Sequence, residues 1–509
     1  MSNVAGLPHA ATASATLVLA IIFPVVGILL SFVLGGRFVE RIALILLPIG
    51  LAIASTIFVQ VNFGYHSLEY IVGGWTPPLG IALRADGLSA AMMMAAAIVI
   101  CAVGIFARAD FRTAADGSET RASFAFWILL LAVWSAMNLI FVGADLFTLY
   151  VALELLTFAA VPLVSLDGRA ETLQAALRYL IFAVLGAVFY LVGAALLYGA
   201  YGTLDIAILS ERVRADPTTI VAGAVMTAGL LAKTALFPLH LWLPPAHAGA
   251  PAAASAVLSA LVVKGSFFLL VRLWFDVMPG VLGMAGTQIL GILGAAAILF
   301  GNVLALRQPR LKLLVAYSTV AQIGYLFLTF PLAFSATSST LQSNSALTGG
   351  ILQAISHATA KGAMFLSAGL MYSALGHDRI SGLSGVGRLL PMTVVAFTLG
   401  GVSLIGLPPS GGFLAKWLLL GAAIASGQWW WAATMLAGGL LTSGYMFIVL
   451  SRAMTPAHKP LSLQATVPRY QQAAALALAL CSLMLGLVAF GSFDVAQISR
   501  PTTASIGLQ

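Results

Sequence analysis

Apolar runs of roughly 20 residues, parted by short polar breaks, recur along almost the whole chain, and that is the length a helix needs to cross about 30 Å of hydrocarbon. Inside lipid only helices or closed barrels satisfy every backbone N–H and C=O. Barrel strands would alternate polar and apolar residues, and these runs do not. With 61% hydrophobic and 8% charged residues, the 509-residue chain has too few polar groups to coat a water-facing globule. The reading is an all-α polytopic membrane protein.

About 14 transmembrane helices fit the pattern, centred near residues 24, 51, 96, 133, 156, 188, 228, 262, 294, 322, 361, 408, 441 and 481. The N-terminal stretch MSNVAGLPHAATASATL lacks the basic region of a cleaved signal, so the first run reads as a retained span. Cys101 and Cys481 lie within apolar runs and read as small buried hydrophobes, without redox or metal chemistry.

Loop charges set the orientation. The connections after odd-numbered spans hold Arg37, Arg41, Arg108, Arg112, Arg121, Arg169, Arg307, Arg310, Lys312, Arg379, Arg388, Arg452, Lys459 and Arg469; the remaining segments hold only Arg84, Arg212, Arg214, Arg272 and Arg500. The first set is expected in the cytoplasm, with both termini outside a cell inner (cytoplasmic) membrane. The net charge of +8 reports these loops and does not argue for nucleic acid.

Two spans are interrupted, the seventh at Pro238 and the twelfth at the LPPSGG segment from Leu407 to Gly412. Proline removes a helix donor, and such breaks persist at membrane depth only where protein or water satisfies the freed groups. The breaks are five spans apart and each has a lysine nearby, which suggests two related five-helix units. An odd number of spans inverts the second unit relative to the first. Inverted repeats with discontinuous helices are a recurring transporter plan, with the ion site at the break. The expected division is helices 1–3 in residues 1–110, a first repeat of helices 4–8 in 111–278, a second of helices 9–13 in 279–455, and helix 14 with the tail in 456–509.

All arginines except Arg178 fall in loops or at span ends, whereas Lys233, Lys264, Lys361 and Lys416 fall inside spans. A desolvated lysine can lose its proton and an arginine in practice cannot. At roughly 3 kcal/mol each, four unpaired intramembrane lysines would cost on the order of 10 kcal/mol, comparable to a whole domain's stability. Snorkelling accounts for Lys312 and is the alternative for Lys264; it accounts poorly for the other three, which have apolar residues on both sides. Glu154, in ADLFTLYVALELLTFAAVPL, is the one carboxylate deep in a span, and one of the buried lysines is its expected partner. Their coupled titration would be a switch, a static ion pair being the alternative. Asp145, near the same span's start, reads as a helix cap.

His357 and Lys361 stand i, i+4 on one helix face, and His240 and His247 flank the first break. Histidine passes protons in either direction near neutral pH. Ser318, Gln322 and Tyr325 of the tenth span either extend a hydrated path or make structural hydrogen bonds. There is no Walker loop, dinucleotide fingerprint or Cys/His metal spacing, and no cofactor is expected. What remains is a proton or cation path without its own fuel and without a catalytic site.

The ordered motifs AKTALFPLHLWLPPAHAGAP, LVVKG, AYSTVAQIGY, SHATAKGAMFL and GLPPSGGFLAKW resemble the antiporter-like membrane subunits shared by respiratory complex I, membrane-bound hydrogenases and Mrp-type cation/proton antiporters. The segment GGWTPPLGIALRADGLSAAMM and the twelfth-span lysine are most similar to the Mrp D subunit. The resemblance implies that Glu154 and Lys233 form the ion pair of a first half-channel, that Lys264 connects it onward, that His357 and Lys361 are a central relay, and that Lys416 ends a second half-channel. It also implies 14 spans, other integral-membrane subunits as partners, and protons with a monovalent cation as cargo, in a sodium/proton antiporter. A proton-pumping arm of a complex I-like or hydrogenase oxidoreductase, or a proton-driven subunit of an inorganic-carbon uptake complex, is the alternative. Two departures stand out: Pro245 occupies a position that is acidic in the pattern, and Gln322 one where complex I relatives often carry histidine.

Overall fold

The computed structural model describes residues 7–64, 67–112, 120–281, 283–334, 344–457 and 464–487, and most of these are helical. The first helices, α1 (Leu7–Leu34), α2 (Val39–Phe63), α3 (Gly87–Asp110), α4 (Arg121–Val142), α5 (Leu146–Val164) and α6 (Ala170–Tyr201), are joined by short connections. One connection, between α2 and α3, folds as an antiparallel hairpin of β1 (Leu68–Ile71) and β2 (Ala82–Ala85), with Leu68 opposite Ala85. A short α7 (Ile206–Arg212) leads to α8 (Pro217–Thr234), which stops and is followed by α9 (Leu243–Gly249). The next span, Ala252–Val277, alternates α and π geometry: α10 (Ala252–Val257), π turns at Leu258–Val262, α11 (Val263–Val271) and π turns at Arg272–Val277. Then come α12 (Gly283–Leu306), α13 (Leu311–Phe327) with its extension α14 (Thr329–Ala333), α15 (Asn344–Leu375), one-turn α16 (Val386–Leu389), α17 (Pro391–Ile405), α18 (Gly411–Ala425), α19 (Trp429–Met454) and α20 (Arg469–Met484).

Among the described residues, ten helices are long and apolar enough to cross a membrane, and α17 and α18 are shorter apolar helices on either side of a break. Helix starts follow capping chemistry: the side chains of Asp86, Asp145, Asp205, Asp216 and Ser410 each accept a backbone N–H from the first turn that follows. Asp145 is thus a cap, as its position near the span start suggests.

Burial grades from the edge to the centre. The most apolar window of α1 is 28% buried within the chain, whereas that of the Ala252–Val277 span is buried throughout. That span, α13 and α15 form the middle of the molecule, and they carry Lys264, Ser318, His357 and Lys361. Close approach rests on small residues, as in other helix pairs in lipid. A Cβ on Gly229 of α8 would lie 2.3 Å from the Gly186 carbonyl of α6, and one on Gly324 of α13 would lie 2.3 Å from the Gly294 carbonyl of α12.

The first break does not open at Pro238. α8 ends at Thr234, and Ala235 turns left-handed with φ 58°. A proline ring clashes with the carbonyl four residues earlier, so the helix releases at Thr234, four residues before Pro238. The second break opens as the sequence predicts: α17 ends at Ile405, Gly406 turns left-handed with φ 90°, and α18 starts at Gly411.

Candidate functional site

At the first break, the Lys233 Nζ lies 2.9 Å from Glu154 Oε1 and donates to Thr157 Oγ1 at 3.0 Å. Glu154 and Thr157 are three apart on α5 and so share a face. Lys233 is buried and the Glu154 side chain is 21% exposed, so the pair reaches from the interior towards the outside of the bundle. A carbonyl of the helix's last turn, Ala232 O, accepts the Ala235 N–H at 3.3 Å and the Trp242 indole N–H at 3.0 Å, and Trp242 itself stacks on Tyr179. A small pocket touches Thr157, Lys233, Val262 and Ser266, joining this pair to the central span.

In that span Lys264 is fully buried and donates to the Ser259 carbonyl in the π-helical stretch. The Ser259 hydroxyl is 3.0 Å from Thr319 Oγ1, which ties the span to α13. Lys361 of α15 is equally buried and donates to the Val315 carbonyl at 2.9 Å and to the Ser318 hydroxyl, both on α13. One turn away, His357 lies in the field of Lys264, Lys361 and Lys416. Neither of its ring nitrogens has a hydrogen-bond partner among the described residues, although the ring is buried. Leaving buried polar atoms unpaired costs about 1–3 kcal/mol each, so His357 is where the row has bonding capacity to spare.

At the second break, Lys416 of α18 donates to the Leu404 carbonyl at 2.5 Å and the Ile405 carbonyl at 3.3 Å, both in the last turn of α17. Its Nζ stands 4.1 Å from the centre of the Tyr325 ring. The Tyr325 hydroxyl turns away to the Met435 carbonyl at 3.1 Å. Gln322 donates to the same Leu404 carbonyl at 3.1 Å and accepts from Gln353 at 3.0 Å. No ion pair to Lys416 occurs among the described residues. Gly412 is required here, because a Cβ would lie 1.9 Å from the Ser403 carbonyl.

Of the flanking histidines, His247 is buried against Phe365 in the field of Lys361, Lys264 and Lys312, on the side of the central row. His240 sits instead between Phe237 and Phe300.

Three charged residues sit where their positions in the sequence do not suggest. Lys312 does not reach out along the surface: it is buried, donates to the Ala250 carbonyl at 3.1 Å and lines a cavity of about 430 Å³ with Asp110, Asp167, Arg169 and Arg310. Its place at the very start of a span hid this, since the same position suits a snorkelling side chain. Arg272 and Asp276 look like a helix end but form a half-buried knot around the buried Asp86. Arg272 donates to Asp86 at 2.6 and 2.7 Å, to Asp276 at 2.6 Å and to Ser89 at 2.9 Å. Their i, i+4 spacing was the available signal. Burial pushes the Asp86 carboxyl up, but the Arg272 guanidinium and the Ser89 N–H outweigh it and hold it down at about 2.

A helical membrane protein with two broken helices and a row of buried lysines joined by serine, threonine and histidine has the make-up of an ion-translocating subunit. The chain belongs to the NADH:quinone oxidoreductase/Mrp antiporter transmembrane family, whose model matches residues 143–442. It is 34% identical to the N subunit of the NADH-quinone oxidoreductase of Desulforudis audaxviator over 85% of this chain and 86% of that one. It is 29% identical to the D subunit of the Na(+)/H(+) antiporter of Alkalihalophilus pseudofirmus over 84% of each. In structure it matches a chain of the Mrp complex from Dietzia sp. with a TM-score of 0.83, 25% identity and 94% of each chain covered. A chain of the membrane-bound sulfane sulfur reductase, an archaeal respiratory membrane complex, matches at 0.82 and 25%, covering 92% of this chain and 94% of that one.

Proposed function

We propose that this chain is the proton-translocating subunit of a multisubunit complex in the cell inner membrane, and that the complex is an Mrp-type sodium/proton antiporter. The observation that carries the reading is the Lys233–Glu154 contact at the end of a broken helix, at the head of a row of lysines that have no ion pair among the described residues. In this reading protons pass along Glu154, Lys233, Lys264, His357, Lys361 and Lys416. His240, His247, Ser318, Gln322 and Tyr325 are secondary positions, of which Tyr325 contributes its ring face. The charge of one group biases the next, so moving Lys233 away from Glu154 changes the proton affinity of both. One charge crossing 100 mV is worth about 2.3 kcal/mol, enough to drive a coupled cation outward.

The same reading divides the chain into helices 1–3 (residues 1–110), inverted five-helix units at 111–278 and 279–455 with discontinuous helices 7 and 12, and a fourteenth helix with its tail. Both termini face outward. The α8–α9 and α17–α18 interruptions support the placing of helices 7 and 12.

The assembled complex, reconstituted in vesicles with a proton gradient, should exchange sodium for protons. Lys233→Ala should abolish exchange while assembly persists; normal exchange by a fully assembled variant would overturn the proposal. The identity to an NADH-quinone oxidoreductase subunit over most of the chain favours a second reading, the pump arm of a redox complex. Co-purification separates the readings: small membrane proteins alone support the antiporter, iron–sulfur subunits the redox arm, and a zinc-binding soluble partner a carbon-uptake complex.

A further inference from the structure

The last turn of a helix leaves carbonyls without N–H partners and carries partial negative charge. At the first break the Ala232 carbonyl is closed by neutral, fixed donors, the Ala235 backbone N–H and the Trp242 indole. At the second, Leu404 O and Ile405 O converge on a single positive group, the Lys416 ammonium, with the Tyr325 ring face 4.1 Å from the same nitrogen. The two carbonyls and the ring form a cage for one positive charge, built from neutral groups.

We propose that this cage is a binding site for a monovalent cation, sodium in the antiporter reading, and that the Lys416 ammonium is its tethered occupant, displaced when the cation binds. The inference rests on that reading for the identity of the ion and deepens it by naming where the second cargo sits.

Three features argue for it. Divalent cations call for carboxylates, whereas rings of carbonyl oxygens serve monovalent ones, and no carboxylate pairs with Lys416 among the described residues. Occupancy is also exclusive. Two unit charges within a few ångströms repel strongly where little water screens them, so the cation enters only once the ammonium has left or shed its proton. That exclusion is the elementary rule of an exchanger.

The third feature is the amide pair. Gln322 now offers its N–H to Leu404 O, as a carbonyl shared with an ammonium permits. The Gln353 Oε1, buried, has no hydrogen-bond partner among the described residues. Turning both amides over keeps the Gln322–Gln353 bond, with Gln322 now donating to that orphaned oxygen. Gln322 then presents its own oxygen to the cage as a third ligand. A glutamine rather than a histidine at this position is what makes the turn possible, because an amide carries both an oxygen and an N–H.

The test is equilibrium binding of radioactive sodium to the purified, assembled complex at neutral pH, with subunit stoichiometry checked for every variant. Lys416→Met removes the tethered charge and should tighten a saturable sodium site by roughly tenfold or more over the parent. Adding Gln322→Leu should undo most of that gain, and Lys233→Met should give none. Lys416→Met binding no more sodium than the parent, or keeping its gain with Gln322→Leu, would overturn the site. Should Lys416→Met not assemble, Lys416→Gln serves with the same two outcomes. Exchange by the parent complex in vesicles is scored separately: its absence removes the antiporter reading, while a sodium site gained in Lys416→Met would stand without it.

Discussion

The two broken helices place a lysine beside a helix end and then treat it in opposite ways. Lys233 turns from its own break to a carboxylate on a neighbouring helix, while Lys416 turns back into its break and binds the carbonyls there. A carboxylate can move, protonate and change its charge; a backbone carbonyl can do none of these. The first break is therefore suited to switching and the second to holding, and an exchanger of two cations needs both. Between them Lys264 and Lys361 have only neutral partners among the described residues, so their charge is set by the groups at the two ends of the row.

Removing Glu154 should separate the breaks most sharply. Glu154→Ala strands the buried Lys233 charge, and breaking a buried pair costs about 3–5 kcal/mol. Exchange should fall by at least about 100-fold, the factor that roughly 3 kcal/mol represents, with the complex still assembled. No single side-chain deletion at the second break removes a counter-charge, because its acceptors are backbone. Residual exchange above about a tenth of the parent's in vesicles would show that Glu154 is no switch.

Backbone fit should matter more at the second break. Gly412→Ala drives a Cβ to 1.9 Å from the Ser403 carbonyl, part of the same last turn that holds Lys416. Overpacking of this kind costs about 1–3 kcal/mol. The thermal midpoint in detergent should drop and exchange should weaken together. An unchanged midpoint would mean that α17 and α18 are free to slide, and that the cage is not rigid.

The Arg272–Asp86–Asp276 knot is a third, half-buried charge cluster and a control for the first, since arginine cannot shed its proton. Asp86 is held at about 2, below its ordinary value of 3.8, so it contributes stability that is complete above pH 3.8 and is lost as the pH falls towards 2. The difference is worth about 2 kcal/mol. Arg272→Met removes the group that holds the carboxyl down and leaves the burial that pushes it up. The variant should then be less stable than the parent at neutral pH and recover part of that loss as the pH falls, because protonation relieves the stranded buried carboxyl. Its thermal midpoints between pH 3 and 7 should therefore rise with acid relative to the parent's. Identical acid profiles would show that the knot is not coupled to folding.

Much of this was legible before any coordinates, for physical reasons that can be named. Apolar runs of membrane-crossing length leave helices as the one way to satisfy the backbone, and a lysine inside such a run demands an explanation. Partners were less legible, because Glu154 and Lys233 are 79 residues apart in sequence and only packing brings them together. Lys312 and Arg272 were misjudged for one reason: both stand near the end of a span, where letters cannot separate a side chain reaching for water from one folded inward. The carbonyls that hold Lys416 could not be read at all, since every residue has one and the geometry of the break decides which are free.

The smallest expected effect probes how each break turns. Both use a left-handed residue, but the second uses Gly406, at φ 90°, and the first Ala235, at φ 58°. The left-handed region costs a residue with a Cβ roughly 1–2 kcal/mol, and glycine returns part of that through its greater freedom when unfolded. Ala235→Gly should therefore stabilise by somewhat under about 1 kcal/mol, a small rise in thermal midpoint. Gly406→Ala should do the reverse and more, because its Cβ would also stand 2.8 Å from the Lys416 side chain. If relieving Ala235 also speeds or slows exchange, the turn at the first break is part of the switch; if only the midpoint moves, Lys233 and Glu154 switch on a fixed frame.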